Sequence, residues 1–504
     1  MNKRLYQLIL FLAFGISTVA QTVTPNKCWS IDYETWNTTD QPALFIDCGN
    51  DEAFNVGQEL TIEVWLRAYT FAENRKLMGK IEYNEPIDNG YVLGFENLHV
   101  YAEYFNPNKQ EVPRPGDGPM PADSSFVHMV TTYSSISGKI QSYVNGILAG
   151  ETSMFPSGPI VANDRPFIIG NAPWDLLSYQ FYGDMDEVRV WNTVRTQEQL
   201  QQSMHLQLQG DEEGLVAYYN FNTAQDELIP DMSINGFDGT LANFDHVSTS
   251  WSVSAAPVGD PIMSEMQNVG AIWYTNKENF HKLSPNDGIT IVSNVAEKEF
   301  RKYLVVGNNG DEGTSIENAP QSNPEGFTRT AREWYFNVDG NIGGSFTFNL
   351  ELAAGNGDLL PNDGEITQYA LLYRENQSED FKALYNPINP FQNIYIFNNL
   401  DFKSGYYALA YATEDFVLEG PNAIKEDPFK NIQLIPNPVT DILAIKGMPD
   451  HTQISIYNPN GILVKQYNQN QNIGRFDLSQ LDSGLYFIQL KCNNNISIKK
   501  IIKK

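Results

Sequence analysis

The chain has 504 residues, too many for one hydrophobic core and enough for two to four domains. Hydrophobic residues make up 41% and charged residues 19%, which excludes a wholly disordered chain. With 33 Lys and Arg against 61 Asp and Glu the formal charge is −28, which excludes nucleic acid as the main partner, because neutralising phosphates takes a basic surface.

Residues 1–20 read as a secretory signal peptide. Lys3 and Arg4 form its charged start, Leu8 to Ile16 its apolar run, and Thr18-Val-Ala20 a small-residue cleavage site before Gln21. The run is about half the roughly 20 apolar residues of a spanning helix, and no later segment is long and apolar enough to span. No Cys follows the run closely enough for a lipoprotein anchor. A leading segment, 21–42, comes next. Cys28, Cys48 and Cys492 are too few for a disulfide scaffold, and none has a metal-ligand spacing. Cys28 and Cys48 are candidates for a bridge in an oxidising compartment; the alternative is three unpaired thiols.

From Ala43 onward the period is two. Leu60-Thr-Ile-Glu-Val-Trp-Leu66 puts Ile62, Val64 and Leu66 on one face of a half-buried strand. Phe126 to Tyr133 and Ile140 to Val144 predict two more strands, with Asn145-Gly146 as a turn pair after the second. Phe167 to Gly170 and Met185 to Trp191 continue the series. One short helix is predicted after Arg195: Thr196 and Gln199 form a capping box, and Leu200, Met204 and Leu208 share a stripe. Short strands at this spacing, with 12% aromatics, 37 Gly and 27 Pro, predict an all-β fold of the sandwich or jelly-roll type.

Four motifs occur in a telling order: Ala43-Leu-Phe-Ile-Asp47 with Leu60 to Trp65, His128 to Tyr133 with Tyr143-Val-Asn-Gly146, Gly183-Asp-Met-Asp-Glu-Val-Arg-Val-Trp191, and Gly214 to Phe221 with Asp231, Asn235-Gly236 and Gly239-Thr-Leu241. On these, residues 43–251 resemble a laminin-G-like, concanavalin A-like jelly roll of secreted bacterial proteins, giving a domain over 43–255. A boundary follows at Ala255-Ala-Pro-Val-Gly-Asp-Pro261. Strands resume at Ile289–Val292, Tyr303–Val306, Glu333–Phe336, Ser345–Leu350 and Tyr406–Tyr411, predicting a second β-sandwich over 262–420 whose role the residues do not disclose.

The segment 425–504 changes sign: from 430 onward nine basic residues face four acidic ones, a net +5 on an otherwise acidic chain. Its Ile435-Pro-Asn-Pro-Val-Thr-Asp441, Ile456 to Gly461, Phe476-Asp-Leu478 and Ser483-Gly-Leu-Tyr-Phe-Ile488 resemble the type A sorting domain of the type IX secretion system, of the Bacteroidetes kind. The resemblance marks Pro436, Asn437, Pro438, Asp441, Gly461, Gly484 and Tyr486 as its motif residues, on a small immunoglobulin-like β-sandwich. It implies the type IX machinery as partner, passage across the outer membrane, removal of the domain, and a mature protein released or held at the cell surface.

Catalytic constellations are sparse. Retaining glycan hydrolases need two carboxylates about 5 Å apart on one face. The nearest cluster is Asp184-Met-Asp186-Glu187, where regular alternation puts Asp184 and Asp186 together and turns Glu187 away. No zinc helix, nucleophile elbow or phosphate loop is present, the six His are scattered, and His128 reads as a packing residue. Gly355 to Gly364 is a loop and not an EF-hand, since Pro361 sits where the sharp-turn Gly is required. The jelly-roll resemblance implies one structural Ca2+ between an early loop and the closing strand, by position at Asp47, Asn50, Asp51 and Asp186; the alternative is ordinary turn and surface groups. The function expected is a secreted or cell-surface, non-catalytic binding or adhesion protein recognising carbohydrate or another surface ligand. Tyr101, Tyr104 and Phe105, or Trp174, Tyr179 and Tyr182, are the candidate stacking residues. A glycan or peptide hydrolase with an unrecognised site is the alternative, and a structural surface-layer role the third reading.

Overall fold

Alternating apolar residues build the first domain. Its strands are β1 (Lys27–Ile31), β2 (Phe45–Asp47), β3 (Glu59–Ala68), β4 (Arg75–Glu82), β5 (Asn89–Glu96), β6 (His99–Phe105), β7 (Val127–Ser134) and β8 (Lys139–Val144). They continue as β9 (Ile147–Ser153), β10 (Ile168–Ile169), β11 (Gly183–Trp191), β12 (Leu215–Tyr219), β13 (Leu228–Ile229), β14 (Gly239–Ala242) and β15 (Trp251–Val253). A computed structural model describes residues 26–31, 43–69, 74–83, 88–96, 99–105, 125–153, 158–172, 174, 178–243, 251–273, 281–283, 288–293, 302–321, 324–349, 368–387, 394–418, 429, 432–449, 451–458, 463–469, 473–492 and 495–504. The expected signal peptide, the loop Gly355–Gly364 and Gly461 lie outside these residues.

Two antiparallel sheets face each other as a jelly roll. One runs β15-β1-β11-β3-β7-β8-β9 with β12 beside β11; the other runs β13-β14-β2-β10-β4-β5-β6. Ile62, Val64 and Leu66 of β3 enter the core between the sheets, as their period requires, together with Met129, Val188, Val190, Leu93 and Phe95. The helix α1 (Gln197–Ser203) starts on the predicted capping box: the Thr196 side chain accepts from the Gln199 amide and Gln199 answers to the Thr196 amide. It lies over the outer face of the β11–β3–β7 sheet, with Leu200 packed on Val130 and Tyr143. Asn145 and Gly146 both adopt positive φ, the twist that a two-residue hairpin turn takes.

Three expectations change. Lys27–Ile31, in the leading segment, is a strand of the jelly roll, inserted between β11 and β15. Cys28 and Cys48 are free and buried on opposite sides of the jelly roll; Cys28 lies in β1, 3.0 Å from the Ser252 hydroxyl, and Cys48 directly follows β2 in the other sheet. The closing strand β11 is not regular. Asp186 pairs with Trp65 and Arg189 with Glu63, so one extra residue is inserted, and Glu187 takes φ +53°. This bulge turns Asp186 and Glu187 to the same side of the sheet, away from the core that Met185 and Val188 enter.

The second domain is a sandwich of an eight-stranded sheet, including Gln267–Trp273, Tyr303–Asn308, Trp334–Asp339 and Gly405–Ala412, and a four-stranded sheet of His281–Leu283, Ile289–Ser293, Ile342–Asn349 and Ile394–Phe402. Trp334, Phe336, Phe346, Phe348 and Tyr407 fill its centre. The chain between the domains is buried: Ala255, Ala256 and Val258 pack with Cys28, Trp65, Phe126 and Met204, and Met263 packs with Tyr303, Val305 and Tyr335. Residues 433–503 form a smaller sandwich of a three-stranded and a four-stranded sheet.

Candidate functional site

The four residues expected to hold calcium are not brought together. Asp47, Asn50 and Asp51 lie at the end of β2 and in the loop after it, in one sheet; Asp186 lies in the other, paired with Trp65. Asp47 Oδ1 accepts from the Gly49 amide at 2.8 Å, and Asp51 Oδ1 caps the short turn Glu52–Phe54 through the Ala53 amide at 2.9 Å. Asn50 Oδ1 and the Arg165 carbonyl both accept from the ammonium of Lys80, with the carboxylates of Asp164 and Asp51 nearby. A cation therefore already stands at this loop. Burial pulls the Lys80 pKa down while Asp164 and Asp51 oppose the shift. Among the described residues no group of three or more His, Cys, Asp or Glu is placed to hold a metal ion.

Asp186 and Glu187 belong instead to a charged centre beneath α1. Glu63 accepts from Trp191 Nε1 at 2.7 Å and contacts His128 Nε2 at 3.0 Å and Arg189 at 3.8 Å. Glu187 binds Arg189 at 2.6 Å and the Tyr218 hydroxyl at 2.7 Å, and the Ser254 hydroxyl donates to Asp186 at 2.5 Å. Burial alone would raise the Glu63 carboxyl, but Arg189, His128 and Arg195 hold it down to about 2. Asp186 is pushed up, by burial first and then by the charge of Glu187. Asp186 and Glu187 are each 2% exposed, so the bulge that brings them to one face also encloses them. His128 is the packing residue expected, its ring 5.2 Å from that of Trp65.

The other aromatic and charged assembly lies on the outer face of the β4–β5–β6 sheet. A bulge after Lys76 sends Leu77 and Met78 both into the core and leaves Lys76 outside it. The side chain of Lys76 crosses β5 at Gly94, where an added Cβ would stand 3.2 Å from Lys76 Cδ, and binds Glu103 of β6 at 3.1 Å. The Tyr83 hydroxyl donates to the other oxygen of Glu103. Above this pair stand rings: Trp174 and Tyr179 lie 5.8 and 5.6 Å from the ammonium, and Tyr83 meets Trp174 edge-on at 4.5 Å and Phe105 at 5.7 Å. Lys76, Glu103 and Phe105 are buried, whereas Tyr83, Trp174 and Tyr179 are half-buried and keep surface toward solvent.

Of the expected stacking residues, Phe105, Trp174 and Tyr179 meet here. Tyr182 instead belongs to the core, under the Arg75 guanidinium at 5.1 Å. Tyr104 belongs to the core, its hydroxyl on Thr131 at 2.9 Å, and the side chain of Tyr101 lies outside the described residues. Lys76, Tyr83 and Glu103 escaped the sequence reading. The signal for them was Gly94 among apolar strand residues, which marks a place where another chain passes close.

In the small C-terminal sandwich three of the motif residues, Asn437, Gly484 and Tyr486, meet one strand. Asn437 bonds to the strand Asn495–Lys503 twice, and Gly484 and Tyr486 pair with the same strand opposite Lys503 and Ile501. Pro436 and Pro438 flank Asn437 on the surface, and the Asp441 carbonyl accepts from the Leu478 amide at 2.6 Å.

Residues 45–201 match the family described as the concanavalin A-like lectin/glucanases superfamily, and residues 433–504 match the secretion system C-terminal sorting domain. The chain thus carries a concanavalin A-like domain and a type IX sorting domain, which marks it for export to the cell surface or beyond. No helix among the described residues is long and apolar enough to cross a membrane. No curated protein matches the chain. Among solved structures it is similar to a candidate carbohydrate-binding protein of Bacteroides ovatus, at 22% identity and TM-score 0.34, over 47% of this chain and 62% of that one, less than two thirds of its length. A pentraxin of Limulus polyphemus matches at 10% identity and TM-score 0.23, over 35% of this chain and 81% of that one. A CBM40 of a Ruminococcus gnavus sialidase, bound to sialyllactose, matches at 14% and 0.27, over 31% and 91%. At these scores the likenesses carry nothing about ligand.

Proposed function

We propose that this is a secreted or surface-displayed, non-catalytic binding protein whose jelly roll recognises carbohydrate at the outer face of β4, β5 and β6. In this reading residues 1–20 direct export across the inner membrane and the sorting domain directs it across the outer one. What supports the site is the half-buried group Tyr83, Trp174 and Tyr179 over the Lys76–Glu103 pair. Such rings offer apolar area on which the C–H face of a sugar can lie, with polar groups at the edge for its hydroxyls. The floor is rigid because a buried ion pair that loses one partner costs about 3–5 kcal/mol. What supports binding without turnover is the enclosure of Asp186 and Glu187, the nearest approach in the jelly roll to an acid–nucleophile pair.

The full chain, screened against a glycan array and then titrated with the best neutral and acidic oligosaccharides, should bind at least one. Trp174→Ala should weaken that binding by roughly tenfold or more, the loss of one well-placed ring, with an unchanged melting temperature. Steady release of reducing ends, abolished by a carboxylate substitution, would mean an enzyme instead.

A further inference from the structure

Two separate stretches of the sorting domain converge on one strand. On one side of Asn495–Lys503 runs Gly484–Cys492, in antiparallel register from Gly484 opposite Lys503 to Cys492 opposite Asn495. On its other side no strand pairs with it among the described residues, although Ile394–Phe402 and Ile342–Asn349 of the second sandwich lie near it. Instead the segment Pro436–Val439, which comes from the other sheet of the sandwich, reaches over. Asn437 Nδ2 donates to the Lys500 carbonyl at 3.0 Å, and Asn437 Oδ1 accepts from the Ile502 amide at 2.9 Å. The Val439 amide donates to the Ile502 carbonyl and the Val439 carbonyl accepts from the Lys504 amide, both at 2.8 Å. Val439 and Lys503 are bridged in parallel.

One primary amide thus supplies a donor and an acceptor two residues apart, the pattern a neighbouring strand would present. It satisfies backbone groups that the outer edge of a four-stranded sheet would leave open. The strand it holds carries half-buried Lys499 and Lys500, buried Lys503, and Ile502 at 40% exposure. Val439 is fully buried beneath the latch, whereas Asn437 and its flanking prolines are exposed and make no core.

Resting on the export reading of residues 433–504, we infer that Asn437 is a positioning residue: the Pro436-Asn-Pro438 segment latches the basic strand Asn495–Lys503 into the sandwich, and it is that latched strand which presents the export signal. The motif acts through the strand and is not itself the surface that the machinery reads. Ala at 437 would supply neither bond and an ionised Asp only the acceptor, whereas the primary amide supplies both from separate atoms.

The test compares full chains carrying Asn437, Asn437→Ala and Asn437→Asp. Amide hydrogen exchange on purified protein reads the latch, and the exported fraction in a host with the secretion system reads the function. In Asn437→Ala the amides of Ile502 and Lys504 should exchange roughly tenfold faster or more, as expected from losing one or two hydrogen bonds. Those of Thr452–Tyr457 should stay protected, and export should fall in step. Asn437→Asp keeps the acceptor for Ile502 and loses the donor to Lys500, so it should lie between the two in both readouts. Export lost from either variant while Ile502 and Lys504 stay as protected as in the parent would overturn the inference, because the motif would then be read directly. So would a freed strand with undiminished export. A parent chain that is not exported, or that is exported equally well without residues 433–504, would instead defeat the export reading.

Discussion

Lys80 is the side chain on which the question of calcium turns. Its ammonium is buried against Asn50 and the Arg165 carbonyl, close to Asp51 and Asp164, and so it already supplies the positive charge that a divalent ion would bring to this loop. Any calcium at Asp47, Asn50 and Asp51 would bind without Asp186, which the other sheet holds, and would have to displace Lys80. The melting temperature of the native protein is therefore expected to be the same in millimolar calcium and in chelator. Lys80→Met removes the internal cation and leaves its oxygens facing one another, so it should melt lower in chelator and recover partly in calcium. An ion at a hundred times its Kd stabilises by about 2.7 kcal/mol, enough to see. A native protein that gains several degrees in calcium, or a Lys80→Met chain indifferent to it, would show that Lys80 does not do this work.

At the scale of elements, the irregular places decide what the regular ones present. The strand β5 shows why: Gly94 lies where Lys76 crosses, and a Cβ there would stand 2.3 Å from the Arg75 carbonyl as well as 3.2 Å from Lys76 Cδ. Gly94→Ala should destabilise the domain by about 1–3 kcal/mol, the usual cost of overpacking, and weaken saccharide binding along with it. Equal melting and equal binding for that variant would place the Lys76 side chain elsewhere. The same contrast explains what could be read beforehand. Strands β3, β7, β8 and β11 and the helix at Thr196 were legible because alternation and capping are local. The bulge at Glu187 was not: nothing in Asp186-Glu187-Val188 announces an extra residue, and regular alternation turned Glu187 to the wrong face. Nor was β1, whose two partners lie in β11 and β15, more than 150 residues along the chain. Trp174 and Tyr179 were legible as aromatics, but the ion pair under them depends on three strands coming together.

On the scale of the whole molecule, the two large sandwiches are joined by contact and not only by chain. Trp273, at the end of the second domain's first strand, sits edge-on to Trp65 at 5.5 Å and against His205 at 5.4 Å, and its indole N–H donates to the Phe126 carbonyl at 3.1 Å. Asp260 in the buried connection accepts from Tyr335 of the second sandwich at 2.5 Å. The His205 ring is held by the Pro257 carbonyl at 2.8 Å, and burial, with help from His128 and Arg189, brings its pKa down to about 4. A histidine whose folded pKa lies below its unfolded value of about 6.5 binds fewer protons when folded. Its contribution is complete above pH 6.5 and is lost as pH falls toward 4. The buried His128 shifts in the same direction, whereas Glu63, held near 2, gives up its share as pH falls from its ordinary value of 4.5 toward 2. Between pH 6.5 and 4.5 the loss therefore falls on the histidines, roughly 2–3 kcal/mol for a shift of this size, while the carboxyls of Asp186, Glu187 and Asp260, which burial raises, work the other way and offset part of it. By calorimetry the two sandwiches should melt together at pH 7 and separate into two transitions near pH 4.5. Trp273→Ala should show the separated pattern already at pH 7, and His205→Gln should flatten the dependence on pH. Melting that is unchanged between pH 7 and 4.5, or a single transition in Trp273→Ala, would mean that the sandwiches are tethered and not welded.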